Sequence, residues 1–387
     1  MLNICVVTGT RAEYGLLKPL ILKLRENNAV SLMLLVTGSH LSERFGNTQD
    51  EIISDNIDFI KIPIPLDDDT KAGMAYSTGV ALTEFSRYFK YNRPDVLVVL
   101  GDRFEVFAAA SAAHIIGIPI AHISGGDVTE GAVDDAIRHC ITKMSNLHFP
   151  GCEQSRKRII QMGEQPDCVF NVGEPGVENC LKMKLMTRDE LASSLAFDGV
   201  KKDFAVVTFH PVTLENDTAI AEVHELIRAM NDYPDMHYII TLANADAGGR
   251  SINDIWLSEK RKHGNWYVIP SLGALRYLSS LKYARFVLGN SSSGIIEAPS
   301  MGLPTINIGS RQKGRMIADS VVCCNTVYME ISKAIETVLS ENFKNNLKNT
   351  HSPFGEGNTS DSIIEILLNY LKNNHQNLEK HFFDVDF

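Results

Sequence analysis

The 387-residue sequence has no zinc-type cysteine spacing: its seven cysteines (Cys5, Cys140, Cys152, Cys168, Cys180, Cys323 and Cys324) form no C-x-x-C pair, and its twelve histidines no H-x-x-x-H. The odd count argues against a closed disulfide framework and points to reduced thiols in a cytoplasmic protein. No metal site is expected. The opening MLNICVVTGT reads as a strand and lacks the basic and apolar regions of a signal peptide. The longest nearly apolar run, VFAAASAAHIIGIPIA at 106–121, is broken by His114, Gly117 and Pro119 and is too short to span a bilayer. Positive charge is in deficit: 37 Lys and Arg against 47 Asp and Glu give a net charge of −10. Nothing in bulk charge therefore suggests a nucleic-acid or acidic-membrane partner, and an anionic substrate would need a local basic site. The phosphate-loop pattern GxxxxGK[ST] is missing. The first turn, TGTRAEYG, lacks the G-x-G-x-x-G of a dinucleotide site and carries Arg11 where the pyrophosphate backbone would need close approach.

What is present is alternation. The runs NICVVT, VSLMLLVT, DFIKIPI, DVLVVL, IPIAHI and LHF read as strands. Between them lie helical patterns over Leu16–Arg25 and Gly73–Tyr91, then from Glu105 and from Asp134. The pattern weakens over 172–203, around GEPGVEN and the polar helical stretch TRDELASSL. It then restarts with DFAVVTFH, HYIITL, WYVIP, RFVLGN and PTINI, with helices from Thr218, Ile252, Leu272 and Gly294. Such alternation predicts βαβ units and parallel sheets covered on both faces. The fold expected is α/β with two Rossmann-like, doubly wound domains: 1–175, 176–360, and a C-terminal helix and tail at 361–387 that packs back on the first domain. Two such domains leave a cleft between them, and ligands of open parallel sheets sit beyond the carboxyl ends of the strands.

Reading the residues just past each strand gives a biased set: Arg11 and Glu13; Asp102, Arg103 and Glu105; Ser124 and Asp127; His210; Asn290 to Ser293; Arg311 and Arg315. Each turn alone fits ordinary capping. Arginines, carboxylates and a histidine at the same edge of both sheets make a stronger case together. VLGNSSSGIIEA at 287–298 is a strand, a small-residue turn and a helix start. Its backbone N–H groups, helix dipole and serine hydroxyls suit a phosphate. Glu297, one helical turn further in, suits a ribose, or is simply a favourable charge near a helix start. Asp134 and Arg138 in GAVDDAIRH are spaced for a surface i,i+4 pair.

Six stretches, TGTRAEYG, LGDRFE, GGDVTEGAVDDAIRH, FHPVTLE, GNSSSGIIEAPS and GSRQKGR, occur in order over nearly the whole chain. Together they resemble the hydrolysing UDP-N-acetylglucosamine 2-epimerases of the NeuC type, from sialic and legionaminic acid biosynthesis. The resemblance implies a GT-B fold with a nucleotide-sugar cleft between its two domains. It implies expulsion of UDP from C1 with loss of the C2 proton, a glycal intermediate, and hydration to N-acetylmannosamine, without cofactor or metal. Arg11, His210 and the Ser291–Ser292 turn would hold the diphosphate, with Arg311 and Arg315 lining the same cleft and Arg138 among the substrate-binding residues. Glu297 would take the ribose, and backbone near Pro270–Leu272 the uracil. Asp102 and Asp134 match catalytic carboxylates, with Asp135 beside them. Members are commonly dimers or tetramers.

One position departs from the pattern. Some members carry a glutamate two residues after the histidine of the third stretch; here HISGGD places Ser124 there. The carboxylate role would then pass to Asp127 or Glu130, or be dispensable, or the sugar would differ, with UDP-N,N′-diacetylbacillosamine as the alternative substrate. A GT-B glycosyltransferase is the main rival. The paired Asp102 and Asp134 favour proton chemistry over it, and the R-A-E of the first stretch favours the hydrolysing branch over the non-hydrolysing one. A nucleotide-sugar sensor would need an effector module, and none is apparent.

Overall fold

A computed structural model describes residues 1–43, 46–68, 70–129, 133–211, 219–243, 249–347, 352–373 and 379–385. The chain divides into two compact units. The first contains Met1–Asp127, Val133–Asn179 and Gly357–Phe387; the second is built around Cys180–Glu356. The break falls four residues past the boundary at 175 expected from the sequence, and the last segment belongs with the first unit from Gly357 onward.

The first sheet comprises β1 (Leu2–Thr8), β2 (Val30–Thr37), β3 (Ile60–Ile62), β4 (Val96–Leu100), β5 (Ile120–Ile123) and β6 (Leu147–Phe149). Their order is β3-β2-β1-β4-β5-β6, with every pair parallel. Between the strands run α1 (Arg11–Glu26), α2 (Gln49–Ser54), α3 (Lys71–Tyr91), α4 (Phe104–Ile116) and α5 (Val133–Met144), followed by α6 (Glu153–Gln161) and α7 (Pro175–Lys182). The two-residue period of a strand sorts the side chains of β1. Ile4 and Val6 join one core with Leu17, Ile21 and Leu24 of α1. Cys5 and Val7 join the opposite core with Phe85 and Phe89 of α3 and the alanines of α4. Both faces are thus buried, which is why these strands read as nearly unbroken apolar runs.

The second unit repeats the plan. After α8 (Arg188–Leu195) come β7 (Phe204–Thr208), α9 (Ala219–Asn231), β8 (His237–Thr241), α10 (Gly249–Lys260), β9 (Trp266–Ile269) and α11 (Gly273–Tyr283). Then follow β10 (Val287–Gly289), α12 (Ser292–Ser300), β11 (Thr305–Ile308), β12 (Val321–Cys324), α13 (Tyr328–Leu339) and α14 (Glu341–Leu347). The parallel order is β12-β11-β10-β7-β8-β9. Counted from its own first strand, this is the same 3-2-1-4-5-6 order as the first sheet. Each sheet therefore reverses its winding at one point, between β1 and β4 in one and between β7 and β10 in the other. Strand β12, which periodicity does not signal, is an edge strand: its four residues are exposed or half-exposed. The expected helix start at Thr218 lies outside the described residues. Among the described residues, no helix is long and apolar enough to cross a membrane.

The chain then returns to the first unit. Helix α15 (Thr359–Asn373) inserts Ile363, Leu367 and Leu371 into the core that holds α1 and β1. The segment after it is pinned to the same unit by charge. Lys380 Nζ lies 2.7 Å from Glu164 Oε2 and donates to the backbone carbonyls of Ser145, at 2.6 Å, and Lys143, at 2.8 Å. Phe383 N–H donates to the Gly163 carbonyl. Glu164 is nearly inaccessible and also accepts from Lys143 at 2.5 Å and contacts His148 Nε2 at 3.0 Å. Burial opposes its charge, but His148, Lys143 and Lys380 together pull the carboxyl down to about 2.

A carboxyl depressed in the folded state adds stability above its unfolded pKa, and that stability is lost as pH falls towards the folded value. Glu164→Gln is therefore expected to cost about 3 kcal/mol near neutral pH, because it strands two ammonium groups. The gap from the native protein should close between the ordinary glutamate range and about pH 2. Urea unfolding across that range measures it.

Candidate active site

In the first unit, the ends of β4 and β5 and the start of α5 are held by one buried guanidinium. The Arg138 side chain is 4% exposed and bonds directly to the Asp102 carboxylate just past β4. It also donates to the Asp127 carbonyl at 2.9 Å and lies 3.7 Å from Asp135 one turn back on α5. Asp127 is fixed through its side chain, which accepts from Ser155 Oγ at 2.5 Å. Asp135 also approaches His139 at 3.6 Å, and burial lowers that imidazole more than Asp135 raises it. Asp134 is exposed on the first turn of α5, and Arg11 is exposed at the first position of α1.

Ser124, at the end of β5, has a left-handed backbone with φ of 58°, uncommon outside glycine. Its N–H donates to the Phe149 carbonyl at 2.9 Å, and its hydroxyl donates to Glu174 Oε2 at 2.7 Å. Glu130, the other expected stand-in for a missing glutamate, lies outside the described residues, as do the last residues of the FHPVTLE stretch.

The β1 end carries a second arrangement. Thr10 caps α1, and Glu13 closes the capping box by accepting from the N–H of Gly9 at 2.8 Å and Thr10 at 2.9 Å. Glu105, at the start of α4, is fully buried and accepts from Arg103 Nε at 2.7 Å. One oxygen of each carboxyl, Glu13 Oε1 and Glu105 Oε2, is buried without a hydrogen-bond partner. Burial pushes the Glu13 carboxyl up, and the neighbouring Glu105 charge pushes it further, against Arg103 and the two N–H donors. Burial and the Glu105 charge thus favour the protonated form of Glu13.

In the second unit the corresponding switch point is organised by an uncharged residue. Asn290, 1% exposed, follows β10. Its amide brackets the end of β7: Oδ1 accepts from His210 N–H and Nδ2 donates to the His210 carbonyl, both at 2.8 Å. Its own carbonyl accepts from Arg311 at 3.1 Å and from Gln312 Nε2 at 2.8 Å, which brings in the loop after β11. The approach is close because Gly289, with φ of 138°, has no side chain; a Cβ there would stand 2.0 Å from the Thr208 carbonyl oxygen. Burial, with the Arg311 charge adding, pushes the His210 imidazole down to about 4. It is therefore neutral near pH 7 and acts as a hydrogen-bonding group rather than a cation. His210 Nδ1, Arg315 Nε and Gln312 Oε1 are buried without hydrogen-bond partners at this edge, as expected of groups that take a ligand.

Ser291 is the N-cap of α12, accepting from Ser293 N–H, and Ser292 opens the helix. Glu297 lies further along α12. Burial raises its carboxyl, opposed by Ser293 and Arg315. Pro270–Leu272 sits just past β9. The structure thus gathers Asp102, Asp127, Asp135 and Arg138 in one unit and His210, Arg311 and the α12 start in the other. Sequence reasoning passed over Asn290 as a clamp, although a polar residue ending an apolar run at a switch point could have flagged it. It also passed over Glu174, which no local pattern marks.

Two substitutions check these arrangements. In Glu13 the folded carboxyl is raised, so the folded state holds a proton that the unfolded state releases above the ordinary glutamate range. Stability is lost as pH rises there. Glu13→Gln keeps an acceptor for the capping N–H groups and removes this loss. Its Tm should rise relative to the native protein as pH goes from 5 to 8, by roughly 2–4 °C for each kcal/mol relieved. Asn290→Ala leaves the buried N–H and carbonyl of His210 unpaired and should cost about 2 kcal/mol or more in urea unfolding.

Comparison with known proteins agrees with this architecture. The family model described as UDP-N-acetylglucosamine 2-epimerase matches residues 22–368. The chain is 37% identical over 387 residues to the Escherichia coli polysialic acid biosynthesis protein P7, covering 100% of this chain and 98% of that one. It is 37% identical over 384 residues to the Campylobacter jejuni GDP/UDP-N,N′-diacetylbacillosamine 2-epimerase (hydrolyzing), covering 99% of each. In fold it is similar to the crystal structure of UDP-GlcNAc 2-epimerase from Neisseria meningitidis bound to UDP-GlcNAc: TM-score 0.83 at 21% identity, covering 95% of this chain and 100% of that one. With a family model spanning most of its length and relatives this similar end to end, the chain belongs to the UDP-N-acetylglucosamine 2-epimerase family.

Proposed function

We propose that the protein is a hydrolysing UDP-sugar 2-epimerase that converts a 2-acetamido UDP-hexose to the free 2-epimeric sugar and UDP. The observation that carries this reading is the division of chemistry between the two sheets. Carboxylates held by Arg138 collect just past β4 and on the first turn of α5, and the Asp127 carbonyl beyond β5 joins the same guanidinium. A neutral histidine, arginines and a helix start collect at the β7–β10 switch point of the second. The first set suits proton transfer at carbon, the second a nucleoside diphosphate.

The C2 hydrogen of such a sugar is not beside a carbonyl, so it becomes acidic only as positive charge grows at C1. The main electrostatic task is therefore to stabilise the departing diphosphate. Arg311, Arg315, Arg11 and the α12 N-terminus supply charge and dipole for it; His210, being neutral, supplies a hydrogen bond. Elimination gives a glycal, and addition of water at C1 with a proton returned to C2 gives the epimer. Asp102, Asp134 and Asp135 are the carboxylates we assign to these transfers. The ribose falls to Glu297, whose carboxyl oxygens can accept hydrogen bonds from sugar hydroxyls.

UDP-N-acetylglucosamine is the first substrate reading. UDP-N,N′-diacetylbacillosamine is the second, favoured by relatives named as hydrolysing epimerases of that sugar at 37% and 35% identity.

Proton NMR of the protein with each sugar nucleotide in D₂O, without metal or acceptor, tests both. The expected outcome is UDP release with a free 2-epimer carrying deuterium at C2, from one sugar in preference to the other. UDP release that depends on an added acceptor would favour a glycosyltransferase instead. Silence with both sugars would sink the epimerase reading.

A further inference from the structure

We infer that His122 is the positioning residue of the β4 turn, its imidazole fixing the peptide group that leads into Asp102. This rests on the epimerase reading above, in which Asp102 moves a proton, and names what aims that carboxylate.

His122 lies on β5 and is fully buried. Its neighbours Ala121 and Ile123 join the core that holds α1. The two-residue period turns His122 to the opposite face, with Ile120 and with Ile141 of α5. Its Nε2 stands 2.8 Å from the Gly101 carbonyl oxygen, and its Nδ1 3.2 Å from Thr142 Oγ1 on α5. A carbonyl can only accept, so Nε2 carries the hydrogen and Nδ1 accepts from the Thr142 hydroxyl. Gly125 leaves room for this pair: a Cβ there would lie 2.8 Å from His122 Nδ1 and 3.0 Å from Thr142 Oγ1. Burial pushes the imidazole down to about 3, against the Gly101 bond, so the ring is neutral near pH 7.

The carbonyl that His122 holds belongs to the planar peptide unit whose nitrogen is that of Asp102. Gly101 has a left-handed backbone, with φ of 74°, and its N–H donates to the Ile123 carbonyl at 3.0 Å. Strand β5 therefore grips Gly101 by both of its backbone polar groups, immediately before Asp102. The Asp102 side chain is then taken by Arg138, yet it stays 24% exposed beyond the strand end, where ligands of an open parallel sheet sit. Thr142 lies one helical turn past Arg138, with its Oγ1 3.0 Å from the Arg138 carbonyl oxygen. One imidazole thus ties the backbone of Asp102 to the helix that holds its carboxylate and carries Asp134 and Asp135. An apolar side chain could fill the same space but could not hold the carbonyl.

The test compares the full-length native protein with His122→Gln and His122→Asn. Glutamine places its amide nitrogen near the Nε2 position and keeps the donor to Gly101; asparagine reaches only as far as Nδ1 and loses it. UDP release is followed with the sugar nucleotide and with its C2-deuterated form, UDP binding by calorimetry and folding by thermal melting. His122→Asn should lower kcat roughly 10- to 100-fold with UDP affinity within about twofold of native, and His122→Gln should stay within about fivefold of native kcat. The C2-deuterium isotope effect should grow in His122→Asn, because a misaimed carboxylate makes proton transfer the slow step. A merely structural role would move melting temperature and UDP affinity together with kcat and leave the isotope effect where it was. Heteronuclear NMR of the histidine rings in the native protein keeps the inference testable even if His122→Asn does not fold. It should show the Nε2–H tautomer of His122 from pH 5 to 9; an Nδ1–H or doubly protonated ring overturns the bond to Gly101. A folded His122→Asn as active as His122→Gln, or one that loses kcat without a larger isotope effect, overturns the positioning role and leaves the epimerase reading standing. A native protein that releases no UDP from either sugar nucleotide overturns that reading and this inference with it.

Discussion

A guanidinium taken out of water must be matched by carboxylates and carbonyls, and in this protein that requirement shapes the β4–β5 edge of the first unit. Arg138 is almost fully buried, and its donors are met by Asp102, Asp135 and the Asp127 carbonyl. These groups arise from the β4 turn, α5 and the β5 turn. Removing any one leaves the others facing a charge without full compensation. Two carboxylates and one backbone carbonyl are therefore arranged by one cation. A buried pair of this kind adds little to stability by itself, but it ties together the β4 turn, the β5 turn and the start of α5.

The second unit solves the same geometric problem without charge. The primary amide of Asn290 can donate and accept at once, so it brackets both backbone groups of His210 while its carbonyl gathers Arg311 and Gln312. The clamp itself is neutral, so it adds no carboxylate to this edge. The contrast matches the chemistry assigned to each unit. Proton transfer needs positioned carboxylates; holding a diphosphate needs cations and N–H groups. Glu13, under the β1 turn, is a third case, in which burial and the neighbouring Glu105 charge favour a protonated carboxyl.

Much of the fold was legible. The apolar runs fall on observed strands because a strand buried on both faces has nowhere to place polar residues. Helix starts were read late by a few residues where the first turn is polar, as in α1, which begins at Arg11 rather than Leu16. The edge strand β12 was missed because a half-exposed strand of four residues has no run to detect. Of the site, the residues just past each strand were legible, since loops at strand ends are short and local. Glu174 was not: it lies in a loop whose sequence, GEPGVEN, signals only a turn.

Sequence alone thus determined the two doubly wound sheets, the set of polar residues at their carboxyl edges and the family. The sheets and their polar edges depend on periodicity and spacing within a few tens of residues, whereas the family came from the resemblance of six stretches spread along the chain. Tertiary structure decided which of those residues meet. Arg138 reaches Asp102 across 36 positions and Glu174 reaches Ser124 across 50. Such pairings follow from strand order and from where backbone without a side chain, as at Gly151, lets a carboxylate through. Neither is encoded in any local pattern, because parallel neighbours in a sheet are joined only through a crossover helix.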